Sequence, residues 1–471
     1  MVERFSTMGI QLLCTLVIAQ FLTPKEFGLV SMMSIFLSFS SILVDSGFGQ
    51  AIIRDQTATE KDYSSVFYVN ILIGSIIYIL GYLASPLISS FYNEPQLTLL
   101  LRVSFLVMFC YGLSVVQQAL LFKNIQFQVV SRVSIISAII SGAVGIFIAY
   151  KYRNAWGLVF QALSLAICRT ILLWIFAKWR PSLYFSWKSI CRYLKFSINL
   201  LATQMISAIT DNLANLMIGK AYNSIDLGNY TIPNKIQTSV AGTISFSIHR
   251  VSYSVMASFQ NDQDKLRDYS QKIVNMAFFI IAPIMTFLAL ESERIFLVIL
   301  NPTWLTAAYY FKIISISGII FCFADINMDV LLVRGKSDIV LKLEIIRKII
   351  YVLLLICGIM INMRTIMWLL VIYSFFNALF ISYFSGKEIK CSLYRQFKST
   401  IYTICPLLLA STAIVLVCTI VNNINIFVGL LLSFVSFFLI YIAGSYVIRN
   451  ESLLYFVEKT IVMINRLKDN K

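Results

Sequence analysis

Only one histidine, His249, occurs in 471 residues, and only 13% of the chain is charged. A soluble domain keeps about a quarter of its residues charged to wet its surface. With 59% hydrophobic residues and a mean hydropathy of +0.82, this exterior faces lipid. The single imidazole excludes a histidine-based metal cluster. The nine cysteines are scattered singly with no CxxC pair, and Cys14, Cys110, Cys168, Cys322 and Cys418 lie inside apolar runs. They read as small buried hydrophobes rather than as disulfides or zinc ligands. Long polar stretches are missing too: no segment longer than about 20 residues lacks an apolar run. That leaves no room for a soluble catalytic domain, so the chain is expected to be a non-enzyme without a cofactor. The net charge of +16 sits in short clusters at 178–195, 387–398 and 459–471, not in a basic stripe interleaved with aromatics, which excludes nucleic acid as a partner.

What the chain has is apolar runs of spanning length. Hydropathy predicts an all-α polytopic membrane protein of about 14 transmembrane helices. They are expected over 4–22, 27–46, 64–90, 97–121, 130–150, 155–177, 196–218, 232–256, 271–290, 307–333, 343–362, 365–385, 399–420 and 424–448. A cleavable signal peptide is the alternative for the first run, but no small-residue cleavage site follows it. The breaks carry turn chemistry, as at Thr23-Pro24, Asn93-Glu94-Pro95 and Asn301-Pro302. The stretches 46–63 and 291–305 read as amphipathic and interfacial. Lys and Arg divide between alternate loops by about 26 to 6, which places both termini in the cytoplasm. Trp156, Trp174, Trp179, Trp187 and Trp304 fall near predicted span ends, where indoles form interfacial belts.

Two turns repeat. Ile18–Gly28 aligns without gaps on Ile218–Gly228: a turn former, then an acid, an apolar residue and glycine. Asn223 or Thr23 is expected to cap the following helix, with Asp226 or Glu26 in its first turn. A second likeness joins 119–124 to 330–335. The reading is two pseudo-symmetric six-helix bundles in parallel orientation, as transporters often show. The expected divisions are 1–182 and 183–390 for the bundles, 391–450 for an additional helix pair, and 451–471 for a basic cytoplasmic tail.

Several stretches carry a family resemblance: the opening through Ala19-Gln20-Phe21-Leu22-Thr23-Pro24-Lys25-Glu26-Phe27-Gly28, then Asp45-Ser46-Gly47-Phe48-Gly49-Gln50, Trp179-Arg180-Pro181, and Leu227-Gly228-Asn229-Tyr230. In order, these resemble the polysaccharide-transport (Wzx-type) flippases of the multidrug/oligosaccharidyl-lipid/polysaccharide (MOP) exporter superfamily, with its MATE-like fold. The departures are Ala19-Gln20, where relatives commonly have Ala-Arg, and Ala214, where they have Asp. The resemblance implies a flippase that moves undecaprenyl-diphosphate-linked oligosaccharide across a bacterial inner membrane by alternating access, for O-antigen, capsule or exopolysaccharide. Its implied partners are that lipid-linked glycan, membrane lipids and the polysaccharide polymerase machinery. The alternatives are an ion-coupled exporter of drugs or other small molecules and, further off, a polysaccharide polymerase. A polymerase would need a large polar external loop that this chain lacks.

Ionisable residues within spans are costly and default to functional hypotheses. For a diphosphate cargo, Arg102, Arg169, Lys235 and Lys312 are expected to line a cationic cleft, with Arg250 at its cytoplasmic mouth. The competing reading is snorkelling to the interface. Asp211, Asp325 and Asp329 form the candidate ion-coupling set, against the alternative of pairing between helices. Asp325 and Asp329 share one helical face.

Overall fold

The computed structural model describes residues 2–421, 425–456 and 458. The expected break between the spans 399–420 and 424–448, and most of the basic tail over 451–471, lie outside the described residues. Among the described residues every regular element is a helix. In chain order the α-helices are α1 (Val2–Phe21), α2 (Pro24–Asp45), α3 (Phe48–Arg54), α4 (Glu60–Tyr92), α5 (Leu97–Ser104), α6 (Leu106–Gly112), α7 (Val115–Lys123), α8 (Phe127–Tyr152), α9 (Trp156–Phe176) and α10 (Trp187–Ala221). Then follow α11 (Ser224–Ser258), α12 (Gln263–Leu290), α13 (Ser292–Ile299), α14 (Leu305–Val333), α15 (Ser337–Ile361), α16 (Met363–Glu388), α17 (Leu393–Lys398), α18 (Ile401–Val421) and α19 (Ile426–Val447).

Among the described residues eight helical stretches are long and apolar enough to cross a membrane, or nine if the bent α5–α7 run is one span. The chain is a multi-pass membrane protein. The other five expected spans coincide with helices of a different kind. Two are shorter apolar helices over 6–21 and 401–416. The remaining three, α10, α11 and α15, are long but richer in polar residues. The interfacial stretches appear as the short helices α3 and α13.

By its contacts the chain forms two compact units, one up to Thr231 and the other from Ile232. The sequence suggested a division at 182. The first unit extends further because α10 packs along α2 and α4.

Within the first unit the two repeated turns meet. A β-carbon on Gly28 would overlap the Ser224 carbonyl oxygen, and one on Gly228 would overlap the Pro24 carbonyl oxygen. Each turn therefore presses its glycine against the backbone of the other, an approach only glycine permits. The expected caps are in place. The Glu26 carboxylate accepts from the Thr23 amide at 2.9 Å, and the Asn223 side-chain oxygen accepts from the Asp226 amide at 2.8 Å. Ser224 donates to Glu94 at 2.7 Å and Lys220 to the Phe91 carbonyl at 2.6 Å, tying the end of α4 to the same seam.

A polar clamp closes the other end of the first unit. Arg192 at the start of α10 reaches both Asp55 (3.1 Å) and Asp62 (3.0 Å). Tyr193 donates to Asp55 at 2.9 Å, and Lys123 donates to the Asp55 carbonyl at 2.6 Å. The connector between α9 and α10 is stitched to α4 as well. The hydroxyls of Ser64 and Ser182 lie 2.9 Å apart, Ser65 accepts from the Ser186 amide at 2.9 Å, and the Trp179 indole donates to Glu60 at 2.5 Å.

The second unit is built around α12 and α14, with Ala277, Phe278, Ala282, Met285, Ile320, Phe323 and Ile326 in its core. The expected additional helix pair, α18 and α19, packs onto this core. Leu407, Ala410, Phe437 and Tyr441 belong to that same core, and the Tyr441 hydroxyl donates to the Phe279 carbonyl at 2.9 Å. The tryptophan belt is corrected in part. Trp304 is fully buried, and the Trp174 indole donates to the Leu113 carbonyl at the break in the fourth span, while Trp179 donates to the exposed Glu60. Trp187, 64% exposed, fits the belt.

Two predictions follow from the first unit. Gly28→Ala should lower its stability by about 1–3 kcal/mol, the scale of overpacking, seen as a lower thermal midpoint in detergent. Gly9→Ala, with open space around it, should leave the midpoint unchanged. The second concerns Asp55, whose carboxyl is held down to about 2 by the Thr57 hydroxyl, helped by Tyr193 and Arg192. Its folded value lies below the unfolded value of about 3.9. The contribution of this group to stability is thus complete above about pH 4 and lost as pH falls toward 2. Asp55→Asn should remove that segment of the wild-type pH profile of the thermal midpoint.

Candidate functional site

The fourth expected span is not one straight helix. It breaks at Phe105 and again at Leu113-Ser114, and the second break bends the run by 41°. There the Ser114 amide turns to the Tyr111 carbonyl at 2.9 Å instead of continuing the ladder to Cys110. The carbonyls freed by a break must find donors in an apolar surrounding. They find them on α9: Thr170 donates to the Cys110 carbonyl at 3.0 Å and Trp174 to the Leu113 carbonyl at 2.8 Å. A neighbouring position on the same helix, Arg169, lines a cavity beside the break.

That cavity, about 370 Å³, lies wholly within the first unit between α2–α3, α6–α7 and α9. Ser41, Asp45, Gln50, Tyr111, Ser114, Gln118 and Arg169 are its polar lining. Arg169 interacts electrostatically with the Tyr111 hydroxyl. Asp45 sits over Gly49, its oxygen 3.4 Å from where a β-carbon would stand. The chain turns away after Asp45 through two left-handed residues, Ser46 and Gly47 (φ 47° and 70°), which keeps the carboxylate at the cavity edge. A second cavity of about 210 Å³ shares Ser41 and Tyr111 and continues along α2 past Leu37, Met33 and Val30, with Leu158 and Val159 opposite. Side by side along α2 they make an amphiphilic path with Ser41 and Tyr111 as the shared wall, polar on the Arg169 side and mainly apolar on the other.

The remaining predicted cations are not gathered around this cavity. Arg102 on α5 lies with its guanidinium 4.3 Å above the Tyr82 ring. Tyr82 shares the flank of α4 with the exposed Ile79 and Leu83, so Arg102 stacks on an outward-facing aromatic. Lys235 and Arg250 on α11 and Lys312 on α14 belong to the second unit and are exposed there.

The acidic set divides similarly. Asp211 is exposed on α10, while its neighbours Asn212 and Asn215 reach Ser34 on α2 (3.1 and 3.4 Å). Asp325 and Asp329 do come together, in the second unit and against α11. Ser245 donates to Asp325 at 2.9 Å, and one turn further on the His249 Nδ1 lies 2.5 Å from Asp329. Asn327, on the other face of α14, donates instead to Ser382 at 3.1 Å. Arg347 on α15 is in electrostatic reach of Asp325, pairs with Glu344 and donates to Asn377 on α16 at 2.8 Å. His249 and Ser245 were not singled out from the sequence. The available signal was a shared spacing: polar residues four apart on α11 facing carboxylates four apart on α14.

A family model described as polysaccharide biosynthesis protein matches residues 17–309. The chain belongs to that family. Among curated members of similar sequence is the teichuronic acid biosynthesis protein TuaB of Bacillus subtilis (strain 168), 24% identical over 364 residues, covering 77% of this chain and 75% of the relative. The lipopolysaccharide biosynthesis protein WzxC of Escherichia coli (strain K12) is 21% identical over 354 residues, covering 74% and 72%. Among solved structures, the lipid II flippase MurJ in an inward closed conformation matches with a TM-score of 0.74 at 15% identity, over 95% of this chain and 97% of that one. An inward-facing multidrug resistance MATE family transporter of the MOP superfamily matches with a TM-score of 0.65 at 14% identity, over 81% and 94%. These likenesses establish the fold: this family member is built like MurJ and the MATE transporters.

The broken span gives its own test. Thr170→Val keeps the side-chain shape but strips the donor from the Cys110 carbonyl. The expected cost is about 1 kcal/mol, read as a lowered unfolding midpoint in detergent, whereas Thr412→Val, whose hydroxyl only bonds back to its own helix, should be neutral.

Proposed function

We propose that this protein is a flippase for lipid-linked oligosaccharides, moving undecaprenyl-diphosphate-linked repeat units across a bacterial inner membrane for surface polysaccharide assembly. The observation that carries the reading is the amphiphilic path of the first unit. Its polar end offers a guanidinium, three hydroxyls, two amides and, at the edge, the Asp45 carboxylate, so the phosphate is met by Arg169 and the sugar hydroxyls by the remaining polar groups. Its apolar end suits the start of a hydrocarbon chain. Family membership supports the same reading, as do relatives named for teichuronic acid and lipopolysaccharide biosynthesis.

In this proposal Arg169 contacts the diphosphate, and the exposed Lys235, Arg250 and Lys312 serve as further cationic contacts along the route. Arg102, stacked on Tyr82, acts as an interfacial anchor instead. Fourteen spans, two parallel six-helix repeats with an additional helix pair, cytoplasmic termini and alternating access complete the reading. The work is carriage, with no bond made or broken in the cargo, and a polysaccharide polymerase would be the consumer on the far side. The likeness in fold to a multidrug transporter favours a second reading, an exporter of small molecules.

Leaflet-resolved detection of the lipid-linked repeat unit decides between them. Cells lacking the protein should accumulate it in the inner leaflet, and wild type should restore the outer-leaflet pool. Arg169→Ala at equal expression should restore about a tenth or less, the scale of one lost charge-assisted contact. An unchanged leaflet distribution on deletion would exclude the flippase and leave the exporter, to be tested by drug efflux.

A further inference from the structure

The first unit's cavity is absorbed by the proposed function, but the polar ladder of the second unit is not. Two rungs join α11 to α14 one helical turn apart, Ser245 to Asp325 and His249 to Asp329. The Asp329 side chain is 2% exposed, while that of His249 is 39% exposed. A carboxylate removed from water and set in apolar helices is tolerated as an anion only when a cation stands against it. Here the partner is the chain's single imidazole, whose charge is itself set by a proton. Loss of that proton leaves a buried anion without its counter-charge; gain of it restores a neutral rung. The buried carboxylate and the accessible imidazole are thus the inner and outer ends of one protonation unit.

The surrounding charges sharpen this. On α14 Asp325 adds a second negative charge one turn away, and on α15 Arg347 faces Asp325 while held by Glu344 and by Asn377 of α16. On α11 Arg250 follows His249 in sequence, and Tyr253 packs its ring 6.0 Å from the imidazole. On α12 Asp262 pairs with Lys265, and Asp264 and Asp268 pair with Arg267. On α13 Arg294 pairs with Glu291, which ends α12. Asp325 is met by the Ser245 hydroxyl, whereas Asp329 is met by an imidazole, which can gain or lose a charge. Among the described residues no group of three or more His, Cys, Asp or Glu side chains is placed to hold a metal ion.

We propose that His249 and Asp329 form a proton-exchange site in the second unit, through which the carrier's cycle is coupled to protons and not to sodium. The coupling clause rests on the proposed flippase activity; the site itself does not. A single histidine makes the test direct. In full-length protein carrying ¹⁵N-labelled histidine in detergent, one imidazole signal reports this rung alone. The expected result is a signal that responds to pH, with a response that differs in Asp329→Asn because the imidazole has lost its carboxylate partner. Exchanging potassium for sodium at constant ionic strength should leave it unmoved. A signal that does not titrate, that titrates identically in Asp329→Asn, or that shifts with sodium would overturn the site. Should Asp329→Asn fail to fold, Asp329→Glu replaces it, and the wild-type response to pH and sodium still decides. In the leaflet assay, a protonophore should then reduce outer-leaflet delivery several-fold in wild type, and sodium-free medium should not. If wild type shows no delivery at all, the flippase reading fails while the imidazole titration stands or falls on its own. If delivery ignores the protonophore, the coupling fails.

Discussion

The reciprocal contact of Gly28 and Gly228 is the constraint on which the first unit depends. Two turns of the same design are pressed together until each glycine lies on the other's backbone carbonyl. Helices that approach this closely gain dispersion contacts along their length, the main source of association where lipid tails are as apolar as side chains. The contact also fixes the directions in which α2 and α11 leave their turns. The seam with α4, through Glu94 and Lys220, then follows from where those turns stand. The cavity at Arg169 lies further along the same helix, α2, at Ser41 and Asp45.

Polar groups are handled differently in the two units. In the first, a helix is broken and its freed carbonyls are met by Thr170 and Trp174, which leaves space beside Arg169. In the second, the helices run on unbroken past the ladder and the polar groups are met by one another, rung by rung. Pro283 and Pro406 illustrate the same continuity: both sit inside helices that continue past them. A broken helix makes room for a ligand, whereas a ladder of paired side chains makes room only for something as small as a proton.

Much of the fold could be read from the residues, because a run of apolar side chains about 20 long has few other uses. The caps at Thr23 and Asn223 were legible for a similarly local reason. What could not be read were consequences of distance. The break at Leu113-Ser114 has no proline to announce it and is stabilised from α9, some sixty residues on. Trp174 looks interfacial by position, yet its indole N–H meets a backbone carbonyl at the break, Leu113. The division at 182 looked natural because a polar connector stands there, but α10 packs back onto α2. Arg102 and Arg169 looked alike in sequence and differ only in their neighbours, an exposed tyrosine for one and a polar cavity for the other.

The stitched connector between α9 and α10 has a mechanical consequence. A loop of that composition would ordinarily act as a tether, letting the helix after it swing. Here Ser64, Ser65 and Glu60 hold the connector to α4, and Arg192 locks the first turns of α10 to the same support. The base of α10 is a clamped end, not a pivot. Its far end is held as well, by Lys220 on the Phe91 carbonyl and by the Gly28–Gly228 seam, and Asn212 and Asn215 brace its length against Ser34 of α2. The helix is thus a beam fixed at both ends, and the connector before it transmits a push along the axis of α10 but cannot serve as its hinge.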